Sequence, residues 1–297
     1  MKVFVTGASG FIGSVTVREL IATGHQVIGL VRSDKSAASV ASMGAEVLRG
    51  DLDDLDSLRR GAADSDGVIH TAYMHGSTDF AKASEADRRA IETIGAVLAG
   101  SDRPLVVSAG TPGLVAGHIV TEDENLFDSP IPRFSESAAL LLTSQRVRAS
   151  VMRLPRSVHG EGDYHGFVPR LINVARSKGV AGYPGDGSNR WPAVHRLDAA
   201  RLYRLALESA PSGTLLHAVG DEGIPVRDIA SAIGGYLHLP VASVPLSESD
   251  DHFGPFLGRV FSFDCPSTSA LTQERFGWHP EQPGLLADLD QGHYFNQ

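Results

Sequence analysis

The chain has 297 residues, 42% apolar and 21% charged, which is ordinary for a folded globular protein with a core of adequate size. A formal net charge of −9 argues against a nucleic acid partner, and no apolar run approaches the roughly 18–20 residues that span a bilayer, so no membrane partner is expected either. Cys265 is the single cysteine, which excludes an intrachain disulfide; with no leader-like segment before the first strand, a reducing, cytoplasmic setting is expected.

Residues 1–13 read M-K-V-F-V-T-G-A-S-G-F-I-G. Val3, Phe4 and Val5 predict a short buried strand. Gly7, Gly10 and Gly13 follow at a spacing of three. A helical pattern starts at once, with Ile12, Val15, Leu20 and Ile21 apolar, and runs from about Gly13 to Thr23, where Gly24 stops it. A helix opening at such a turn aims free N–H groups and its positive dipole end at an anion. Glycine lets a pyrophosphate approach the backbone and lets the helix sit close to the strand. The stretch T-G-A-S-G-F-I-G resembles the cofactor loop of the extended and atypical short-chain dehydrogenase/reductases, a group that includes NAD-dependent epimerases and dehydratases and has the spacing G-x-x-G-x-x-G. The resemblance implies a nicotinamide dinucleotide on Gly7, Ser9, Gly10, Phe11, Ile12 and Gly13.

Gln26–Val31 predicts a second buried strand, with Arg32 just past its end. An acidic residue there would accept from the adenosine ribose and repel a 2′-phosphate, whereas an arginine attracts that phosphate. Arg32 therefore favours NADP, with NAD left open because Asp34 follows two residues later. A weak helix over Ser36–Met43 and a strand over Glu46–Arg49 lead into Gly50-Asp51-Leu52-Asp53 and a helix carrying Leu55 and Leu58. Two readings of this step stand side by side. The resemblance puts the Asp51 carboxylate and the Leu52 backbone against the adenine; alternatively Asp51 or Asp53 caps the next helix. Gly67–Thr71 predicts strand four. By resemblance, Thr71 and Ala72 line the ribose and nicotinamide, while Tyr73 and His75 either reach substrate or simply pack.

A long helix is expected over residues 79–99, and strand five over Leu105–Ser108. Ala109–Asn125 reads as an active-site loop, followed by a helix over residues 134–148 and strand six over Ser150–Leu154. In related enzymes the 79–99 helix pairs homodimers, and the analogy extends the expected homodimer contact to the 134–148 helix. Pro155–Gly160 resembles the family's R-P-x-x-x-Y-G turn, with His159 in place of the tyrosine. Beyond it come a helix over Phe167–Lys178, a loop over Gly182–Arg190, a V-H-V-x-D-like strand over Ala193–Asp198 and a helix over Ala199–Glu208. Then follow a strand over Thr214–Val219, a helix over Val226–Leu239, a strand over Val241–Leu246 and a final helix over Gly284–Phe295. The resemblance is specific at Thr6–Gly13 and Arg153–Gly160 and fades after about residue 240.

Most members of this family use a Tyr with a Lys four residues later, a spacing that puts both side chains on one helix face. The ammonium lets the phenol exchange a proton with the substrate oxygen at neutral pH. None of the six tyrosines here has a lysine at that spacing. Aligning on Glu136 puts Pro132 at the Lys position and Asp128 at the Tyr position, so the pair is missing.

Three readings survive. The first is an oxidoreductase with a substituted proton donor, acting on a small-molecule carbonyl or alcohol. Ser108 and Thr111 stand where the family keeps the hydroxyl that meets the substrate oxygen, and Tyr73, His75, Tyr164 and His165 are candidate donors. The second is an NADP-binding redox sensor without catalysis. The third, disfavoured by the missing pair and by Arg32, is a sugar-nucleotide epimerase or dehydratase. The twelve histidines form neither an H-E-x-x-H nor a Cys/His cluster, so no metal site is expected. The expected architecture is α/β: a Rossmann-type, doubly wound, mostly parallel seven-stranded sheet with a small C-terminal substrate lobe. The dinucleotide-binding core would cover residues 1–155, and residues 156–297 would return strands to it and form the lobe.

Overall fold

Val3, Phe4 and Val5 have no exposed surface, as befits a central strand of a sheet covered on both faces. They belong to β1 (Lys2–Thr6) of a computed structural model that describes residues 1–74, 79–112, 117–124 and 133–296. The chain continues through α1 (Phe11–Ala22), β2 (Gln26–Val31), α2 (Asp34–Ser42), β3 (Glu46–Arg49), α3 (Leu55–Ala63), β4 (Gly67–His70), α4 (Phe80–Leu98) and β5 (Pro104–Gly110). Next are α5 (Ser135–Leu141), β6 (Arg148–Leu154), β7 (Ser157–His159), α6 (Phe167–Lys178), β8 (Ala181–Pro184), β9 (Arg190–His195), α7 (Arg196–Ser209) and β10 (Leu215–His217). Then come β11 (Asp221–Pro225), α8 (Val226–Leu237), β12 (Val241–Val244), α9 (Ser249–Phe253), α10 (Pro255–Phe261), α11 (Ala270–Phe276) and α12 (Leu285–Asp290).

Seven strands form the main sheet in the order β10-β6-β5-β4-β1-β2-β3. β1 runs parallel to both β2 and β4, β2 to β3, and β4 to β5. The strand order turns back on itself between β1 and β4. In open α/β sheets that switch point opens a crevice at the carboxyl ends of the strands, here Gly7 on one side and Thr71–Tyr73 on the other.

The chain divides into two compact units, interleaved in sequence. One comprises Met1–Ala109, Asp128–Arg153 and Ala199–Leu216; the other Gly110–Phe127, Leu154–Asp198 and His217–Gln297. The first is built on Phe4, Leu58, Val68, Ile91, Ile94 and Leu105, all without exposed surface. The second centres on Trp191, Ile172, Ile229, Phe261 and Leu285 and holds two small sheets, β11-β9-β7 and β12-β8. Among the described residues no helix is long and apolar enough to cross a membrane.

Several sequence expectations are corrected. The helix expected over 134–148 stops at Leu141, continues as a 3₁₀ turn over Leu142–Gln145 and ends at Arg146, which is left-handed at φ 56°. Arg148 already belongs to β6 and donates to the carbonyls of Leu207 and Ala210. The Gly182–Arg190 loop contains most of β8, and the 155–160 turn contains β7. Both strands exist through remote partners: Ala181 pairs with Val241, and Ser157 with Ala193. The last helix ends at Asp290. Gly292 then turns at φ +80°, Phe295 stacks on Tyr236 at 4.0 Å, and Tyr294 Oη accepts from Gly160 N–H. Three short helices, α9, α10 and α11, fill the 249–276 stretch, which has no strong periodicity to announce them.

Candidate active site

The turn between β1 and α1 is built as closely as its sequence implies. Gly7 has φ +69°, and a Cβ there would lie 2.8 Å from Ala72 N. A Cβ on Gly13 would lie 2.0 Å from Gly7 O and 3.0 Å from Thr71 Oγ1, so any larger residue would force the turn open. α1 starts from Gly10 with no side-chain cap and no acidic residue in its first turn. A 12-residue helix thus presents its N-terminus to the switch point with nothing of its own charge against an anion. This cradle fits a dinucleotide pyrophosphate. Ser9 is exposed, whereas Phe11 and Ile12 are half-buried along the first turn. Thr71 is committed to the scaffold, its hydroxyl donating to Thr6 O at 2.7 Å.

At the end of β2, Arg32 is exposed and pairs with no described residue, while Asp34 pairs with Arg49 at 2.5 Å. The β2–β3 register sets Arg49 opposite Val31, which brings its guanidinium to this corner. The acidic residue two positions after Arg32 thus pairs, at the surface, with a residue of the neighbouring strand. At the next corner, Asp51 Oδ1 accepts from the N–H groups of Asp53 and Asp54 at 2.9 Å each. Neither Asp51 nor Asp53 caps α3; that role falls to Asp54, whose carboxylate accepts from Ser57 N–H. Leu52 is buried in the core of the first unit.

A buried polar chain runs across the carboxyl ends of β1, β4 and β5. Thr6 Oγ1 meets His70 Nδ1 at 2.9 Å, and His70 Nε2 meets Asp87 Oδ1 at 3.1 Å. Ser135 Oγ donates to Asp87 Oδ2 at 2.5 Å. His70 and Asp87 are both 1% exposed. Burial works against an ionised Asp87, but the hydrogen bond and charge of His70, the charge of Arg133 and the Ser135 hydroxyl outweigh it and hold the carboxyl below its ordinary range. Arg133 Nε donates to Ser135 Oγ at 3.0 Å and Nη2 to Ser108 O at 3.3 Å, while the guanidinium carbon stands 4.4 Å from the centre of the Tyr73 ring. Tyr73 Oη lies 3.3 Å from Ser84 Oγ.

Ser108 Oγ donates its proton to His70 O at 2.7 Å, so Tyr203, 2.6 Å away, must donate to Ser108. Burial pushes the Tyr203 phenol well up, which keeps it protonated as that donor. Glu136 forms a two-point pair with the fully buried Arg153, at 2.8 and 2.6 Å, and so ties α5 to β6.

Thr71, Ala72 and Tyr73 thus stand at the switch point of the first unit, and Arg133 links Tyr73 to Ser108 on the adjacent β5. Thr111 belongs to the second unit, where it is buried and its N–H donates to Leu154 O. Tyr164 and His165 also belong there, exposed on a turn whose Asp163 accepts from the N–H groups of His165 and Gly166. His75, Asp128 and Pro132 lie outside the described residues. In the second unit His159 is fully buried and bonded to Asp288 at 2.9 Å. Sequence reasoning passed over His70, Asp87, Arg133 and Tyr203. The one available signal was Asp87, a charge on the apolar stripe between Ala83, Ala90 and Ile94 of α4.

The family model for NAD(P)H-binding proteins matches residues 7–138. An uncharacterized protein of Schizosaccharomyces pombe is 50% identical over 297 residues, covering 99% of this chain and 100% of the relative. The 2-alkyl-3-oxoalkanoate reductase of Stenotrophomonas maltophilia is 29% identical over 78% of this chain and 74% of its own. Among solved structures, the dTDP-glucose 4,6-dehydratase DesIV of Streptomyces venezuelae, with NAD bound, superposes with a TM-score of 0.77 at 19% identity, over 100% of this chain and 97% of that one. Together with the cradle, these relationships place the chain in the NAD(P)H-binding family of short-chain dehydrogenase/reductase-like proteins that also contains the NAD-dependent epimerases and dehydratases.

Proposed function

We propose that the protein is an NADP-dependent oxidoreductase of the carbonyl reductase or alcohol dehydrogenase type. The observation that carries this reading is the grouping of Tyr73, Ser108 and Arg133 at the carboxyl ends of β4 and β5, in the same crevice edge as the glycine cradle. When bound, the reduced dinucleotide supplies a hydride, two electrons with one hydrogen, to a carbonyl carbon. The chain's own part is to hold the carbonyl, stabilise negative charge growing on its oxygen and deliver one proton there, leaving an alcohol. Gly7, Gly10 and Gly13 with the start of α1 would hold the pyrophosphate, Arg32 the 2′-phosphate, Asp51 and Leu52 the adenine, and Thr71 and Ala72 the ribose and nicotinamide side.

The Ser108 hydroxyl already serves His70 and Tyr203, which leaves Tyr73 the proton donor of choice within the first unit. Thr111, Tyr164 and His165 are candidate donors that belong to the second unit. The 79–99 and 134–148 segments are the surfaces assigned to a homodimer. The tethering of Asp34 by Arg49 supports NADP over NAD. Fluorescence titration with NADPH and NADH tests the reading: NADPH is expected to bind more tightly, and binding of neither at hundreds of micromolar would defeat it. A screen of aldehydes and ketones for NADPH oxidation then separates the enzyme from an NADP-binding sensor, which would bind and turn over nothing.

A further inference from the structure

We infer that Arg133 is a substrate-recognition residue and that the site takes a ketone carrying a carboxylate, of the 3-oxo acid class. The inference rests on the carbonyl-reducing reading above. Arg133 is held from three directions: Nε by Ser135, Nη2 by the Ser108 carbonyl, and one guanidinium face by the Tyr73 ring. Ser135 is in turn fixed by Asp87, and Asp87 by His70. A long, flexible side chain has thus lost most of its freedom before any ligand arrives, which removes much of the entropic cost of binding.

The guanidinium is half-buried and makes no direct ion pair among the described residues. Among the described residues no carboxylate lies within ion-pair distance of Arg133, although the chain carries a net charge of −9. Asp87 acts on it only from a distance, with both carboxylate oxygens already occupied by His70 and Ser135. Arg153 shows the alternative in the same unit: fully buried and paired with Glu136 at two points. A guanidinium that is partly desolvated and unpaired is unfavourable unless an anion completes it.

Nη1 donates to no described residue, and with the second hydrogen of Nη2 it forms a two-pronged edge. That edge matches a carboxylate, which accepts two parallel N–H bonds. The guanidinium stands beside Ser108 and Tyr73, where the reading above puts the nicotinamide rather than the pyrophosphate. An anion there is therefore part of the substrate. A 3-oxo acid separates its ketone from its carboxylate by one carbon, so both groups fit one small site. The Stenotrophomonas relative is named for substrates with this pair of groups.

The test compares 3-oxooctanoate with its methyl ester, on the full chain with NADPH. Wild type is expected to favour the acid over the ester by about tenfold or more in kcat/KM. In Arg133→Gln that ratio is expected to fall to near one, with NADPH affinity by fluorescence kept within about threefold. Calorimetry on the NADP⁺ complex supplies a readout apart from turnover: octanoate is expected to bind wild type and to weaken by about tenfold or more in Arg133→Gln. Arg133→Lys, which keeps the charge but loses the fork, should give an intermediate ratio and guards against misfolding of the glutamine variant. Equal turnover of acid and ester by wild type overturns the inference while leaving the reductase reading intact. An acid preference that survives in both variants also overturns it, as does loss of NADPH binding with the preference unchanged, which would give Arg133 to the dinucleotide. If wild type binds neither NADPH nor NADH, the underlying reading fails.

Discussion

Gly13→Ala puts the cradle to its sharpest trial. The added carbon would stand 2.0 Å from Gly7 O, 2.8 Å from Gly7 C and 3.0 Å from Thr71 Oγ1. The first two neighbours are backbone, and the third is pinned to Thr6 O at 2.7 Å. No flexible side-chain tip can give way, so the turn or the first turn of α1 must move by about 1 Å, at an overpacking cost of ~1–3 kcal/mol. Borne by the fold, that cost lowers Tm by roughly 2–4 °C per kcal/mol for a domain of this size. Opening the turn also draws the α1 N–H groups away from the phosphates. Loss of one hydrogen bond to a charged group, ~1.5–3 kcal/mol, weakens NADPH binding by about ten- to a hundredfold. Gly235→Ala is the matched control. Gly235 sits in α8 with nothing within 4 Å of the added carbon, so helix propensity should raise stability by ~0.5–1 kcal/mol with no change in NADPH affinity. Thermal unfolding and NADPH fluorescence on both variants decide the matter. A Gly13→Ala protein with unaltered Tm and a Kd within about twofold of wild type would show that the dinucleotide does not rest on this turn.

Three further outcomes follow from the geometry. Arg32→Glu should weaken NADPH by about tenfold or more and leave NADH nearly unchanged, measured by the same titration; equal losses for both cofactors would separate Arg32 from the 2′-phosphate. Asp87 has its carboxyl held below the ordinary range, so its contribution to stability is complete above that range and is lost as pH falls through the native value. Asp87→Asn should therefore unfold at lower temperature at pH 7, by ~1–3 kcal/mol, with a flatter decline under acid; equal Tm values at pH 7 would contradict the relay drawn through His70 and Ser135. His195 is pushed down from its ordinary 6.5 by burial and by the charge of His159, so the native state disfavours its protonation and loses stability as pH drops below that value. His195→Asn, which keeps an acceptor for Leu197 N–H, should flatten the Tm profile just below pH 6.5; a profile identical to wild type would refute the assignment.

Much of the crevice was legible because its determinants are local. A glycine spacing of three between an apolar strand and an amphipathic helix fixes a close strand–turn–helix whatever packs around it. The alternation of short apolar strands with helices fixes an α/β sheet. By contrast, the Asp34–Arg49 pair depends on β2 and β3 lying side by side in a register that sets Val31 opposite Arg49. Nothing in the fifteen-residue separation announces it. The helix expected over 134–148 ends early, where Arg146 turns left-handed and Arg148, at the start of β6, donates to the distant Leu207 and Ala210 carbonyls. β12 is legible in the sequence, whereas β8 reads as a loop alone and is a strand because β12 lies beside it.

By itself the sequence determined the dinucleotide turn, the sheet type, the basic residue beyond β2 and the absence of the usual Tyr/Lys pair. These follow from sterics, dipole direction and periodicity acting within a few residues of chain. Only the tertiary structure decided which polar groups gather at the carboxyl ends of β4 and β5. His70, Asp87, Arg133 and Ser135 come from β4, α4 and the start of α5 with the residues just before it, and they meet because the parallel crossovers carry all three to the same edge. A hydrogen bond needs its partner within about 3 Å, and whether residues this far apart in the chain come that close is settled by the packing of the sheet and its helices.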